Sequence, residues 1–223
     1  MLQAFRTPLA AWLDSPLGQR VLRAESALAG PVLDDVFGFE LLKVGSWGAE
    51  GPLLRAARTQ HTTVLAPWPD PGVTLCAALD ALPFPADCID AVLLPHTLEW
   101  VEDPYAVLRE AERVLCADGC LLICGFNPWS SWGLRQAFGR VLRRPSFPPG
   151  TRRLLSERRL RDWVALLGFD VERVHAYFGR RGYWLKARKR VVSLTPVRPR
   201  RRVRRPVLVA APEARSQVAN ARR

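Results

Sequence analysis

No stretch of this 223-residue sequence stays apolar for the roughly 18 residues that a membrane-crossing helix needs. Its first residues carry Arg6 and Asp14 where a secretory leader would hold an unbroken apolar segment. A cytoplasmic protein is therefore expected, with no membrane contact. Metal and redox cysteine patterns are missing too. None of Cys76, Cys88, Cys116, Cys120 and Cys124 stands in a CxxC pair or beside a histidine at ligand spacing, which gives no motif for zinc or thioredoxin chemistry. An odd number of cysteines suits a reducing compartment, where they read as small apolar fillers, and no metal is expected. Acidic residues are scarce at one end only: residues 180–223 hold 15 Lys or Arg and the single acid Glu213, a net of +14, so the overall +12 leaves −2 for residues 1–179.

What is present, 48% apolar and 24% charged residues, is the composition of an ordinary folded domain. Ser15 followed by Pro16 starts a helix, and Leu17, Val21, Leu22 and Leu28 recur at helical spacing until Gly30. Phe39–Val44 reads as a strand running into Gly45-Ser-Trp-Gly48, with a helical stretch around Leu53–Arg58 after it. Strands are expected over Thr62–Ala66, weakly over Val73–Cys76, and over Ile89–Leu94, whose continuous apolar run marks a central strand covered on both faces. Asp103-Pro104 opens a helix with its apolar stripe on Val107, Leu108, Ala111 and Val114; a strand over Cys120–Phe126, a helix over Leu155–Leu167, and two antiparallel strands over Phe169–Phe178 and Tyr183–Val192 complete the pattern. Alternating strands and helices argue for a mostly parallel sheet whose ligands bind beyond the carboxyl ends of its strands. The expected organisation is a helical extension over 1–38, an α/β domain over 39–192, and a disordered basic tail over 193–223. The tail carries six Arg in the run Arg198–Pro206, a block that can neutralise phosphates without reading sequence, so weak nucleic-acid contact is expected of it.

The segment Leu82-Pro-Phe-Pro-Ala-Asp-Cys-Ile-Asp-Ala-Val-Leu-Leu-Pro-His-Thr-Leu-Glu-Trp100, continued by Leu108-Arg-Glu-Ala-Glu-Arg-Val-Leu-Cys-Ala-Asp-Gly119, resembles the type 11 family of class I methyltransferases that use S-adenosyl-L-methionine (SAM). A narrower likeness, to a little-characterised bacterial branch of that family, rests on Pro16–Gln19, Leu41–Gly48, Leu94–Trp100, Gly125–Gly133 and Arg159–Trp163. The resemblance implies a Rossmann-like fold with a seven-stranded, mostly parallel sheet, an antiparallel C-terminal hairpin and helices on both faces. It also implies methyl transfer from SAM to an acceptor the sequence does not name, by a protein expected to be monomeric. Cofactor contacts are expected from Gly45, Ser46, Trp47 and Gly48, where missing Cβ atoms let backbone N–H groups approach a ligand, and from Asp80, Leu82, Leu94, Pro95 and His96.

His96 and Glu99 follow the central strand, and Asn127 before Pro128 follows the next; these are the candidate catalytic residues. His96 serves as a general base or as a structural hydrogen-bonding group, and Glu99 as a site carboxylate or a helix cap. Trp129 and Trp132 line an acceptor site or plug the surface against the N-terminal helix. Two positions depart from the family: Lys43 stands where many members carry an acid, and Ala66-Pro-Trp68 where they carry the acid that holds the ribose. The second reading that follows is a methyltransferase-fold binding protein without catalysis, nucleic-acid-associated through its Arg-rich tail.

Overall fold

The computed structural model describes residues 6–48, 51, 53–141 and 148–190. The expected tail over 193–223, and the last two residues of the expected final strand, lie outside them. In chain order the elements are α1 (Arg6–Asp14), α2 (Pro16–Leu33), β1 (Phe37–Val44), β2 (Arg58–Ala66), β3 (Leu75–Cys76), β4 (Ile89–Pro95), α3 (Thr97–Trp100), α4 (Pro104–Val114), β5 (Leu115–Phe126), α5 (Ser131–Val141), α6 (Glu157–Leu166), β6 (Phe169–Tyr177) and β7 (Gly182–Lys189). The strands form one sheet in the order β3-β2-β1-β4-β5-β7-β6. All pairs are parallel except β5–β7 and β6–β7, which makes the terminal hairpin the antiparallel edge. This is the seven-stranded, Rossmann-like sheet that the family resemblance implies. Among the described residues no helix is long and apolar enough to cross a membrane.

Caps fix where the helices begin. The Ser15 hydroxyl accepts from Gly18 N, Asp103 accepts from the N–H groups of Tyr105 and Ala106, and Ser156 accepts from Arg159 N, each ahead of a helix that needs its first donors satisfied. The sheet buries both faces. On one, Leu42, Val44, Val92 and Leu94 pack with Val107, Leu108 and Ala111 of α4 and Leu160 and Val164 of α6; on the other, Leu41, Leu93 and Leu122 pack with Val21, Ala29, Val32 and Leu33 of α2. Helix α2 therefore covers one face of the sheet.

Three elements differ from the sequence reading, the first being α1, a helix ahead of Ser15 where none is expected. The helix expected around Leu53–Arg58 is a set of turns, with Leu54 and Arg55 donating to Gly51 O, and β2 already begins at Arg58. Conversely α5 arises where no helix is expected. Its Gly133 and Gly139 lower helix propensity, yet Gly133 is required, because a Cβ there would lie 1.9 Å from Pro128 O, and its N–H is capped by Ser130.

Lys43 sits in β1 between Val64 of β2 and Leu93 of β4, is fully buried, and its Nζ has no hydrogen-bond partner among the described residues. Burial alone lowers its pKa from 10.5 to about 7. Between those two pH values the unfolded chain holds a proton that the folded chain has lost, so stability rises with pH across the window, and the penalty of a buried ammonium is present in full below pH 7. Lys43→Met is expected to stabilise the protein by about 2–4 kcal/mol at pH 6 and progressively less towards pH 10. Denaturant titrations of both proteins at several pH values check this, and a gain that does not change with pH would contradict it.

A candidate ligand cleft and the buried network behind it

At the carboxyl edge of the sheet, the chain leaves β1 through Gly45, whose φ of +102° favours glycine. A Cβ there would meet Thr97 Oγ1 at 2.9 Å. The Gly45 N–H donates to Leu65 O at 2.7 Å, and Thr97 Oγ1 donates to Val44 O, so the turns after β1, β2 and β4 are tied together at one point. They bound a cleft of about 540 Å³, within the roughly 300–1,000 Å³ usual for small-molecule sites. Gly45, Ser46 and Trp47 line it from β1, Pro67 and Trp68 from β2, Leu79 and Asp80 from the loop after β3, and Pro95, Thr97 and Trp100 from β4, with Glu102, Asp103 and Arg152 also on its wall.

Of the residues expected to contact a cofactor, Gly45, Ser46, Trp47, Asp80 and Pro95 line this cleft together. Gly48 does not. It borders a neighbouring cleft of about 870 Å³ against α2, and a Cβ on it would meet Leu22 at 3.2 Å. That larger cleft touches only the Ser46–Gly48 side of the β1 turn and none of the residues after β4, so it cannot join the two strand ends. Leu82 and Leu94 sit in the core beside α4. His96 lies behind the cleft wall with no exposed surface.

His96 has φ +57° and begins α3. Its Nε2 faces Glu25 Oε1 at 2.9 Å and its Nδ1 faces Glu99 Oε2 at 3.1 Å. Glu25 also accepts from Trp47 Nε1 at 2.8 Å and from the Tyr177 hydroxyl at 2.7 Å, while Glu99 Oε1 accepts from Phe126 N. Trp47 and Phe126 close over the imidazole with ring centroids 4.1 and 4.0 Å away. Burial disfavours the imidazolium, but the negative groups around it, Glu99 and Glu25 among them, outweigh that and hold the His96 pKa well above its ordinary value. Burial pushes the Glu99 carboxyl up, against the opposing pull of His96.

Asn127 is spent on its own turn: Oδ1 accepts from Trp129 N at 3.0 Å and Nδ2 donates to Arg180 O at 3.1 Å. Trp132 packs on Phe126 and Phe178, whereas Trp129 is 81% exposed. His96, Glu99 and Asn127 are thus not brought together around the cleft. Glu25 and Tyr177 are the residues that sequence reasoning missed. Glu25 had a signal, since it lies four residues from both Val21 and Ala29, a carboxylate in the middle of an apolar stripe.

Residues 51–123 match the family model described as a methyltransferase domain. The uncharacterised protein YafS of Escherichia coli K12 is 39% identical over 162 residues, 72% of this chain and 65% of YafS. The malonyl-[acyl-carrier protein] O-methyltransferase of Halorhodospira halophila is 35% identical over 88 residues, 40% of this chain and 30% of that protein. The chain therefore spans less than two thirds of these curated relatives. Among solved structures, a SAM-dependent methyltransferase of Thermotoga maritima superposes with a TM-score of 0.64 at 19% identity, covering 84% of this chain and 97% of that one. The 1,6-didemethyltoxoflavin-N1-methyltransferase of Burkholderia thailandensis, which holds S-adenosylhomocysteine, superposes with a TM-score of 0.60 at 15% identity over 85% of each chain. The fold is the one these methyltransferase structures share, and residues 51–123 are similar to the methyltransferase-domain model.

Removing Glu25 would strand the Trp47 N–H, the Tyr177 hydroxyl and one His96 nitrogen in the interior. Breaking a buried charged set by deleting one partner costs about 3–5 kcal/mol, or on the order of 10 °C in a domain of this size. Glu25→Ala is expected to lower the melting temperature by that much, and a change within about 2 °C would show that the network does not hold the N-terminal helix.

Proposed function

We propose that the chain binds SAM in the cleft at the carboxyl edge of the sheet and transfers its methyl group to an acceptor. The observation that carries this reading is that Gly45, Asp80 and Thr97, from three separate loops, border one cavity of ligand size at the strand ends where this class of sheet binds ligands. The residues fit the cofactor. Gly45, whose N–H is given to Leu65 O, shapes the turn that borders the cavity, and Asp80, largely exposed, offers acceptor oxygens to an amino group. The ribose carboxylate of relatives is replaced by Trp68, whose buried indole N–H has no hydrogen-bond partner among the described residues. It supplies a donor to a ribose oxygen in place of an acceptor.

SAM supplies an activated methyl group on a sulfonium, so the protein's task is alignment and exclusion of water more than acid–base chemistry. Trp47 and Trp100, with ring centroids 6.4 Å apart, give the cleft aromatic faces suited to a cation. His96 and Glu99 act from behind: by fixing the turn after β4, they place Pro95, Thr97 and Trp100 on the cleft wall as positioning residues. Among the described residues the carboxylates on the cleft wall, Asp80, Glu102 and Asp103, are exposed, which suits an acceptor that loses its proton to solvent. The Arg-rich tail, by its charge, is proposed to add weak, salt-sensitive contact with nucleic acid.

Calorimetric titration with SAM and S-adenosylhomocysteine tests the reading. The parent protein is expected to bind both, and Asp80→Ala to weaken binding by about 3- to 10-fold, the worth of one hydrogen bond, with an unchanged melting temperature. A folded parent with no affinity for either compound would favour a non-catalytic scaffold, the reading that the missing ribose acid supports.

A further inference from the structure

We propose that Glu25, His96 and Cys124, with Tyr177 at the fourth corner, form a buried site for one zinc ion. One ligand atom from each of the first three lies within 4.8 Å of the others. His96 Nε2 is 2.9 Å from Glu25 Oε1 and 3.6 Å from Cys124 Sγ. The Tyr177 hydroxyl is 2.7 Å from Glu25 Oε1, 3.4 Å from Cys124 Sγ and 3.4 Å from His96 Nε2. Five of the six separations among these four donors thus run from 2.7 to 3.6 Å, and the sixth, between the Glu25 carboxylate and Cys124, is within 4.8 Å. A regular tetrahedron with edges of about 3.3 Å has its centre about 2.0 Å from each corner, close to a zinc–nitrogen or zinc–oxygen bond, with zinc–sulfur slightly longer.

The second feature is the orientation of the ligands by groups outside the tetrahedron. A metal-bound histidine ordinarily gives its other ring N–H to a carboxylate, and His96 Nδ1 faces Glu99 Oε2, which is itself steadied through Oε1 by Phe126 N. Glu25 keeps Oε1 for the centre because Trp47 Nε1 holds Oε2. Thiolate, imidazole and carboxylate together select a borderline ion such as zinc over magnesium or calcium. Glu25, His96, Cys124 and Tyr177 are all buried, and the chain places them on α2, the turn after β4, β5 and β6, so an ion here would rivet four elements. It is a structural site, walled off from the cleft by Trp47. The protons balance: binding expels the Cys124 thiol proton and the proton shared by His96 Nε2 and Glu25 Oε1, and the two anionic ligands offset the charge of the ion, with Tyr177 remaining a phenol. The three ligands stand at positions 25, 96 and 124, which is why no spaced motif announces them.

The test uses the full chain, purified without chelator, with metal content measured by mass spectrometry, followed by chelation and addition of Co²⁺. About one zinc per chain is expected, with a melting temperature that falls on chelation and recovers with Zn²⁺. Co²⁺ should give a near-ultraviolet thiolate charge-transfer band that Cys124→Ser loses and Cys120→Ser, altering a buried thiol outside the cluster, keeps. Cobalt affinity should fall at least about tenfold in Cys124→Ser. A folded parent that is zinc-free and shows no cobalt band overturns the site, as does a band that survives Cys124→Ser. Should Cys124→Ser misfold, the zinc content and cobalt band of the parent and of Cys120→Ser still decide between the two outcomes.

Discussion

A carboxylate with no access to water has to be met by donors from the protein itself, and in this fold that demand falls on Glu25. Its partners are the indole of Trp47 after β1, the imidazole of His96 after β4 and the phenol of Tyr177 at the end of β6. One side chain of the N-terminal helix thereby joins three loops at the edge of the sheet where the cleft opens. Trp47 belongs to both regions, bonded to Glu25 on one side and lining the cleft on the other. The N-terminal helix is in this sense part of the site, although it contributes almost nothing to the cleft surface directly.

The same arrangement reassigns the residues after β4. A histidine on that loop, seen in the sequence, suggests a base at the mouth of a site. In the fold His96 turns inward because it adopts a left-handed backbone conformation at the start of α3, and its neighbours Pro95 and Thr97 take the cleft wall. The groups that border the cleft are then the Gly45 turn, tryptophan side chains and the acids Asp80, Glu102 and Asp103, and the proposed role for such a set is to hold and align a cofactor that is already reactive.

Much of the fold was legible because burial writes itself into pattern. Ile89–Leu94 reads as a central strand from its apolar run and Cys120–Phe126 as the next strand, and the two lie side by side within the sheet. Asp103-Pro104 and Ser15-Pro16 announced helix starts that the caps confirm. The turns over 53–57 and helix α5 were not legible, since the first follows an ordinary helix-forming composition and the second carries glycines demanded by close packing on Pro128 rather than by local preference. The cleft was legible loop by loop, through Gly45, Asp80 and Pro95. The buried network was not, because Glu25 and Tyr177 lie 71 residues before and 81 residues after His96, and no short motif spans such distances.

A ligand that bridges the turns after β1 and β4 with the loop after β3 must quiet all three segments at once. Hydrogen–deuterium exchange with and without S-adenosylhomocysteine reads those segments directly. Slower exchange is expected in peptides covering 45–48, 78–80 and 95–101, with little change over α6 and the terminal hairpin. Protection confined to the α2 side of the Gly48 turn, around residues 22–30 and 55–56, would contradict this and place the ligand in the neighbouring cleft.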